Sequence, residues 1–126
     1  MASNSKLYYQ KWKFKRKRLK YHLKNKNTSN LPRLVVFRSN KNIFTQLIDD
    51  INNKTILSVS SIDKDLKGDI DKANNKIEKS VIVGSALAEK MKKVNVVQAI
   101  FDRNGYKYHG RIKALCDTIR KKEITI

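Results

Sequence analysis

The first 48 residues contain no acid: thirteen Lys and Arg, and not one Asp or Glu, precede Asp49. Lys11, Lys13, Lys15, Arg16, Lys17, Arg18 and Lys20 crowd together, and like charges at this density repel. Such a segment cannot supply a packed core on its own, so residues 1–30 are expected to form a flexible basic arm. The folded body then has to come from residues 31–126. The rest of the chain, from Asp49 on, carries sixteen bases against eleven acids, so +13 of the +18 net charge lies ahead of Asp49. A polyanion suits this distribution, because each neutralised phosphate releases condensed counterions.

A chain of 126 residues suffices for one compact domain. No apolar run approaches a membrane span, and no membrane or small-molecule partner is expected. The N-terminus lacks the apolar stretch of a secretory signal. Cys116 is the one cysteine, which rules out an internal disulfide and a cysteine-rich zinc site. A reducing compartment fits that usage.

Within the body, Pro32 marks the start. Arg33 to Ser39 is β-branched and aromatic and predicts a short buried strand. Ser39 to Asn42 is a turn. Ile43 to Asp50 predicts a second strand and Thr55 to Ser61 a third, completing an antiparallel meander. The polar stretch Ile62 to Asn75 reads as a loop. Lys76 to Lys93 predicts a helix whose apolar face runs through Ile77, Val81, Gly84, Ala88 and Met91, with Gly84 allowing close packing on the sheet. Val94 to Phe101 predicts a fourth strand buried on both faces, reached by a helical crossover and parallel to an earlier strand. Arg111 to Lys122 predicts a last helix on the stripe Ile112, Leu115, Cys116 and Ile119. The order β-β-β-α-β-α predicts an α/β fold, a mixed four-stranded sheet with two packed helices, preceded by the arm.

Three basic stretches carry the chemistry. In the arm, Tyr8, Tyr9, Trp12, Phe14 and Tyr21 are interleaved with the bases, which favours RNA contact over a plain solubilising tail. On the first hairpin turn, Arg38, Ser39, Asn40 and Lys41 offer donors to phosphate and sugar, although polar turns are common. In the segment Asp102 to Arg111, Arg103, Lys107 and Arg111 supply phosphate donors. Tyr106, Tyr108 and His109 supply flat surfaces there, and Gly105 and Gly110 allow close backbone approach. This spacing is neither a P-loop nor a dinucleotide fingerprint.

A catalytic alternative uses Asp49, Asp50 and Asp102 as metal-holding carboxylates for phosphodiester cleavage. No further acid is convincingly placed beside them, and Asp102 next to Arg103 reads equally as an ion pair. His109 and Cys116 lack an orienting acid, and Cys116 lies on the apolar stripe. No catalytic residue, metal site or cofactor is therefore expected. A third reading, nonspecific binding of DNA or an anionic membrane by the arm alone, remains open at this point.

Three stretches, Pro32–Asp50 (PRLVVFRSNKNIFTQLIDD), Ser58–Gly68 (SVSSIDKDLKG) and Phe101–Leu115 (FDRNGYKYHGRIKAL), closely resemble bacterial or organellar large-subunit ribosomal proteins of the L-eighteen family. The resemblance covers roughly residues 15–126. It implies a non-enzymatic structural constituent of the large ribosomal subunit. Such a protein binds 5S rRNA and attaches it to the large-subunit (23S-type) rRNA in the central protuberance, beside a ribosomal protein of the L-five family. By match to the family's motifs, RNA contact would fall on Arg38, Ser39, Asn40 and Lys41, on Arg103, Gly105, Tyr106, Lys107, His109 and Arg111, and on the arm residues Arg16, Lys17 and Arg18. The implied location is a bacterial ribosome in the cytoplasm, with a plastid or mitochondrial ribosome as the alternative. Two positions depart from the family pattern: Asn104 stands where a glycine is frequent, and Lys121-Lys122-Glu123 replaces a glycine-containing turn before an apolar tail.

Overall fold

The computed structural model describes residues 9–18 and 30–126. Residues 9–18 form helix α1. Strands β1 (Arg33–Arg38), β2 (Ile43–Asp49) and β3 (Lys54–Ser60) follow, then a short 3-10 turn (Lys64–Leu66) and helix α2 (Lys67–Lys72). Helix α3 (Lys76–Lys93), strand β4 (Ile100–Asp102) and helix α4 (Arg111–Lys121) complete the chain. The sheet order is β3-β2-β1-β4, with β1 antiparallel to β2, β2 antiparallel to β3, and β4 parallel to β1. This is the α/β class and the mixed sheet that the sequence predicts.

Side-chain alternation along β1 sends Leu34 and Val36 to one face and Arg33, Val35 and Phe37 to the other. Leu34 and Val36 meet Leu47 and Val59 of the neighbouring strands, and α3 and α4 close over them with Val83, Leu87, Met91, Ile112, Leu115 and Ile119. All ten side chains are almost completely buried. Each contributes about 1.5–3 kcal/mol relative to exposure, so this layer sets the fold.

Helix α3 has the bounds that periodicity predicts, and its ends explain why. The Asn75 side chain accepts a bond from the Glu78 backbone N–H at 2.9 Å, and the Glu78 carboxylate accepts from the Asn74 N–H at 2.7 Å. That reciprocal arrangement satisfies amides left free at the helix start. At the other end Asn95 takes φ 61, and the Val96 N–H reaches back to the Met91 carbonyl at 2.9 Å. This closes the helix in a Schellman turn.

Several local expectations are overturned. Ile62 to Asn75 is not a loop, because the 3-10 turn and α2 occupy most of it. Its one buried apolar residue, Ile70, is too little periodicity to read. The buried face of α3 is rotated from the predicted stripe: Ser80, Val83 and Leu87 join Gly84, Ala88 and Met91 inside, whereas Ile77 and Val81 are exposed. The fourth strand is Ile100–Asp102, not the whole of Val94 to Phe101, and it is not buried on both faces, since Val94 and Val97 face solvent. Residues 97–99 pair instead with the chain end: Thr125 donates to the Val97 carbonyl and accepts from the Ala99 N–H. Glu123 takes the left-handed φ of 67, and the tail beyond it buries Ile124.

Gly84 faces α4 and not the sheet. A Cβ at this position would lie 3.0 Å from the Leu115 carbonyl oxygen and 3.2 Å from the Thr118 Cβ. Gly84→Val is expected to destabilise the domain by about 2 kcal/mol through overpacking. Gly84→Ala should cost less, because alanine regains about 1 kcal/mol of helix propensity. Urea unfolding of both variants measures this, and an unchanged midpoint for Gly84→Val would contradict the close α3–α4 contact.

The acids weighed for metal catalysis are committed elsewhere. Arg33, 8% exposed, donates through Nε and Nη2 to Asp50 at 2.9 and 3.1 Å, and through Nη1 to the fully buried Asp102 at 2.7 Å. Hydrogen bonding to Asp50 raises the Arg33 pKa further above its usual value. Asp102 pairs with Arg33, and not with its neighbour Arg103. Its other oxygen accepts the Asn104 N–H at 2.8 Å, fixing the start of the following loop. Asp49 accepts the Ile51 and Asn52 amides and the Asn52 side chain, an Asx-type turn that lowers its pKa. Cys116 is fully buried, and desolvation pushes its thiol up to about 12, so it is a core residue and not a nucleophile.

Candidate nucleic-acid interface

The hairpin turn after β1 and the loop after β4 lie side by side because β1 and β4 are parallel neighbours. Tyr106 ties the two together. Its hydroxyl bonds the Arg38 backbone, accepting from N–H and donating to C=O, each at 3.3 Å. The Arg38 guanidinium lies over the Tyr106 ring, 4.9 Å from its centre. Arg111, at the start of α4, donates to the Ser39 carbonyl at 2.9 Å. Lys76, at the start of α3, donates to the Asn40 side chain at 3.0 Å. Arg103 donates to the Tyr106 carbonyl at 3.1 Å and braces the loop from within.

Helix α1 packs against the same place. Trp12 stands 5.5 Å from Tyr106 and 6.4 Å from Phe37, centre to centre. The Arg16 guanidinium sits 5.2 Å from the Trp12 ring and 5.1 Å from the Phe37 ring. Gly105 makes the approach possible. It has φ +80, and a Cβ there would meet the Trp12 Nε1 at 3.1 Å and the Arg16 Cβ at 3.3 Å. Two clefts result. One, of about 450 Å³, is lined by Lys11, Trp12, Lys15, Arg38, Gly105, Tyr106 and Lys107. The other, of about 410 Å³, is lined by Arg38, Lys76, Ile77, Lys107, His109, Gly110 and Arg111. They share Arg38 and Lys107, so they form one continuous groove, and among the described residues no Asp or Glu lines either part.

The electrostatics follow from that geometry. Burial, and then the like charge of Arg38, push the Arg111 pKa below its ordinary value. The α4 N-terminus beside it has no side-chain cap and no acid in its first turn, which leaves a partial positive charge facing the groove. Cations held this close without a counter-charge are stabilised by an incoming anion. Chains of phosphates supply that charge at regular spacing.

Most of the residues singled out in the sequence converge here. Arg38, Lys107, His109 and Arg111 line the groove, with Tyr106 and Gly105 at its base. Ser39 and Asn40 hold the turn, and Lys41 is exposed beside them. Arg16 turns inward onto Trp12 and Phe37, while Lys17 and Arg18 are exposed along α1. Tyr8 and Tyr21, expected to contact RNA from the arm, lie outside the described residues. Tyr106 is not a free flat surface, since Trp12, Phe37 and Arg38 surround it. Tyr108 packs edge-on against Phe101 and accepts from Arg120 at 2.8 Å. Sequence reasoning missed Lys11, Lys15 and Lys76 as groove residues. The i, i+4 spacing of Lys11 and Lys15, one step behind Trp12 and Arg16, was the available signal.

Comparison with known proteins identifies the family. Residues 8–126 match the family described as "Ribosomal L18 of archaea, bacteria, mitoch. and chloroplast". A large ribosomal subunit protein uL18 of Fusobacterium nucleatum is 49% identical over 111 residues, spanning 86% of this chain and 90% of the relative. The protein of that name from Sorangium cellulosum is 43% identical over 84% of this chain and 88% of its own, and that of Lactobacillus johnsonii 47% identical over 82% and 87%. These relatives are structural ribosomal proteins, not enzymes. The match runs through α1, the hairpin turn and the loop before α4, and the chain belongs to the L-eighteen family of large-subunit ribosomal proteins.

Proposed function

We propose that the chain binds 5S rRNA through the groove and attaches it to the large-subunit rRNA in the central protuberance, beside a ribosomal protein of the L-five family. Residues 1–30 serve as the RNA-binding arm and residues 31–126 as the α/β body that sets the geometry. The observation that carries the reading is the acid-free groove itself, in which Arg38 and Arg111 are held together uncompensated. The relatives named above are bacterial, which favours a bacterial ribosome in the cytoplasm over a plastid or mitochondrial one. A nuclease is not favoured, because Asp50 and Asp102 both bind Arg33.

Among the described residues six cations line the groove: Lys11, Lys15, Arg38, Lys76, Lys107 and Arg111. If they neutralise phosphates, log K for 5S rRNA falls against log salt with a slope of about −4 or steeper, at roughly −0.7 to −0.9 per phosphate. Titrations between low and near-physiological salt measure it. A slope near −1 would contradict a phosphate groove.

A further inference from the structure

We propose that the outer face of α3, with the 3-10 turn and α2 beside it, is a docking cleft for a basic segment of a neighbouring protein of the large subunit. That segment inserts an apolar side chain and sets Lys or Arg against Asp69 and Glu89. The cleft is separate from the RNA groove, and its occupant is protein.

Residues 80–88 of α3 (SVIVGSALA) carry no charge, on a chain in which 32% of residues are charged. A helix without a polar face needs cover on both sides. The inner side has it, since Ser80, Val83, Gly84, Leu87 and Ala88 are buried. The outer side does not. Val81 is 40% exposed, and Ile82 and Ala86 are half-buried. Ile77, one helical turn before Val81, continues the exposed apolar stripe. Leu66, from the 3-10 turn, stands beside these residues, and with Asp69, Ser85 and Glu89 they line a cleft of about 340 Å³.

Charge selects the occupant. Among the described residues no Lys or Arg lines this cleft, and Asp69 and Glu89 are exposed in its wall. Lys72 and Lys93 stand one turn from these carboxylates and form no ion pair with them. Glu89 lies thirteen residues beyond Lys76, about 20 Å along the helix from the RNA groove. A phosphate would meet like charge and apolar surface here. A second copy of this chain is opposed by its own +18 charge. A cationic segment with an apolar side chain matches both features. The apolar group removes Leu66, Val81 and Ile82 from water, and the cations at the edge set register. Proteins assembled on the same polyanion carry such cations for the reason this chain does.

A photo-crosslinking phenylalanine analogue in place of Val81, in the full chain assembled into its large ribosomal subunit, tests this. The expected product is an adduct with one other protein, whose crosslinked peptide holds an apolar residue flanked by Lys or Arg. The same analogue in place of the exposed Glu89 should reach the same peptide, and thermal melting checks that each variant is folded. Asp69→Lys with Glu89→Lys is expected to lower the yield at position 81 by about fivefold or more, because like charges then face each other across the interface. An adduct with rRNA, with a second copy of this chain or with a segment lacking cations would overturn the proposal. So would the absence of an adduct at both positions, or a yield unmoved by the charge reversal. The analogue in place of Lys107 reports separately on the groove. Absence of an rRNA adduct there would overturn the RNA-binding reading and leave this cleft untouched.

Discussion

Replacing Arg38 and Arg111 together by Ala is expected to lower affinity for 5S rRNA about a hundredfold at near-physiological salt while the body stays folded. Each guanidinium making a charge-assisted bond to phosphate contributes roughly 1.5–3 kcal/mol, and about 1.4 kcal/mol is a factor of ten. Two such contacts therefore account for the hundredfold loss. The fold should tolerate the change because neither side chain reaches the core. Arg38 caps the Tyr106 ring and Arg111 bonds one exposed carbonyl. The melting temperature should shift by no more than surface substitutions usually cause. Filter binding or fluorescence anisotropy beside a thermal melt separates the two effects. A large loss of stability would mean that the cations serve the fold.

The opposite pattern is expected at Asp102. Asp102→Ala leaves the Arg33 guanidinium half-compensated on the face of the sheet that α3 and α4 do not cover, and it releases the Asn104 amide. Breaking one side of a buried ion pair costs about 3–5 kcal/mol, and since Asp50 still holds Arg33 the lower end is expected, about 3 kcal/mol. Because Asp102 also fixes the start of the loop carrying Arg103, Gly105 and Tyr106, RNA affinity should fall even where the variant remains folded. Chemical denaturation gives the stability loss. If Asp102→Ala were as stable as the parent chain, the Asp50–Arg33–Asp102 clamp would not be a structural element.

The contrast between these two sites explains what was legible in the sequence. The groove's cations sit in short stretches dense in Lys, Arg and Gly, and density alone marks them. The family resemblance pointed to the same turn and loop. The strands and α3 were legible because β-branched runs and a long helical period are local signals. The Arg33–Asp102 pair joins residues 69 positions apart, and nothing local announces it. Helix α2 was invisible because six mostly polar residues with one buried Ile carry no period. Residues 94–101 misled because Val94 and Val97 are apolar yet exposed beside the C-terminal tail. The α3 stripe was misplaced because two overlapping apolar registers share Gly84, Ala88 and Met91, and only the burial of Val83 and Leu87 in the core distinguishes them from the exposed Ile77 and Val81. The packing of Trp12 on Phe37, Tyr106 and Gly105 was not legible, because it joins residues far apart in the sequence.

The Asn and Glu residues at glycine-like positions show the same limit. Asn104 takes φ 57 in a fully buried site, and Glu123 takes φ 67 at the end of α4. Both positions take a left-handed backbone, the region in which a glycine is most at ease.

The central claim is that a shaped groove, and not the arm's charge alone, recognises RNA. Competition binding at near-physiological salt tests it most directly, with labelled 5S rRNA challenged by excess tRNA and by duplex DNA. The account predicts that 5S rRNA stays bound against both. Equal displacement by every polyanion would contradict it, leaving only the charge of the ten Lys and Arg in residues 1–30 to explain the binding.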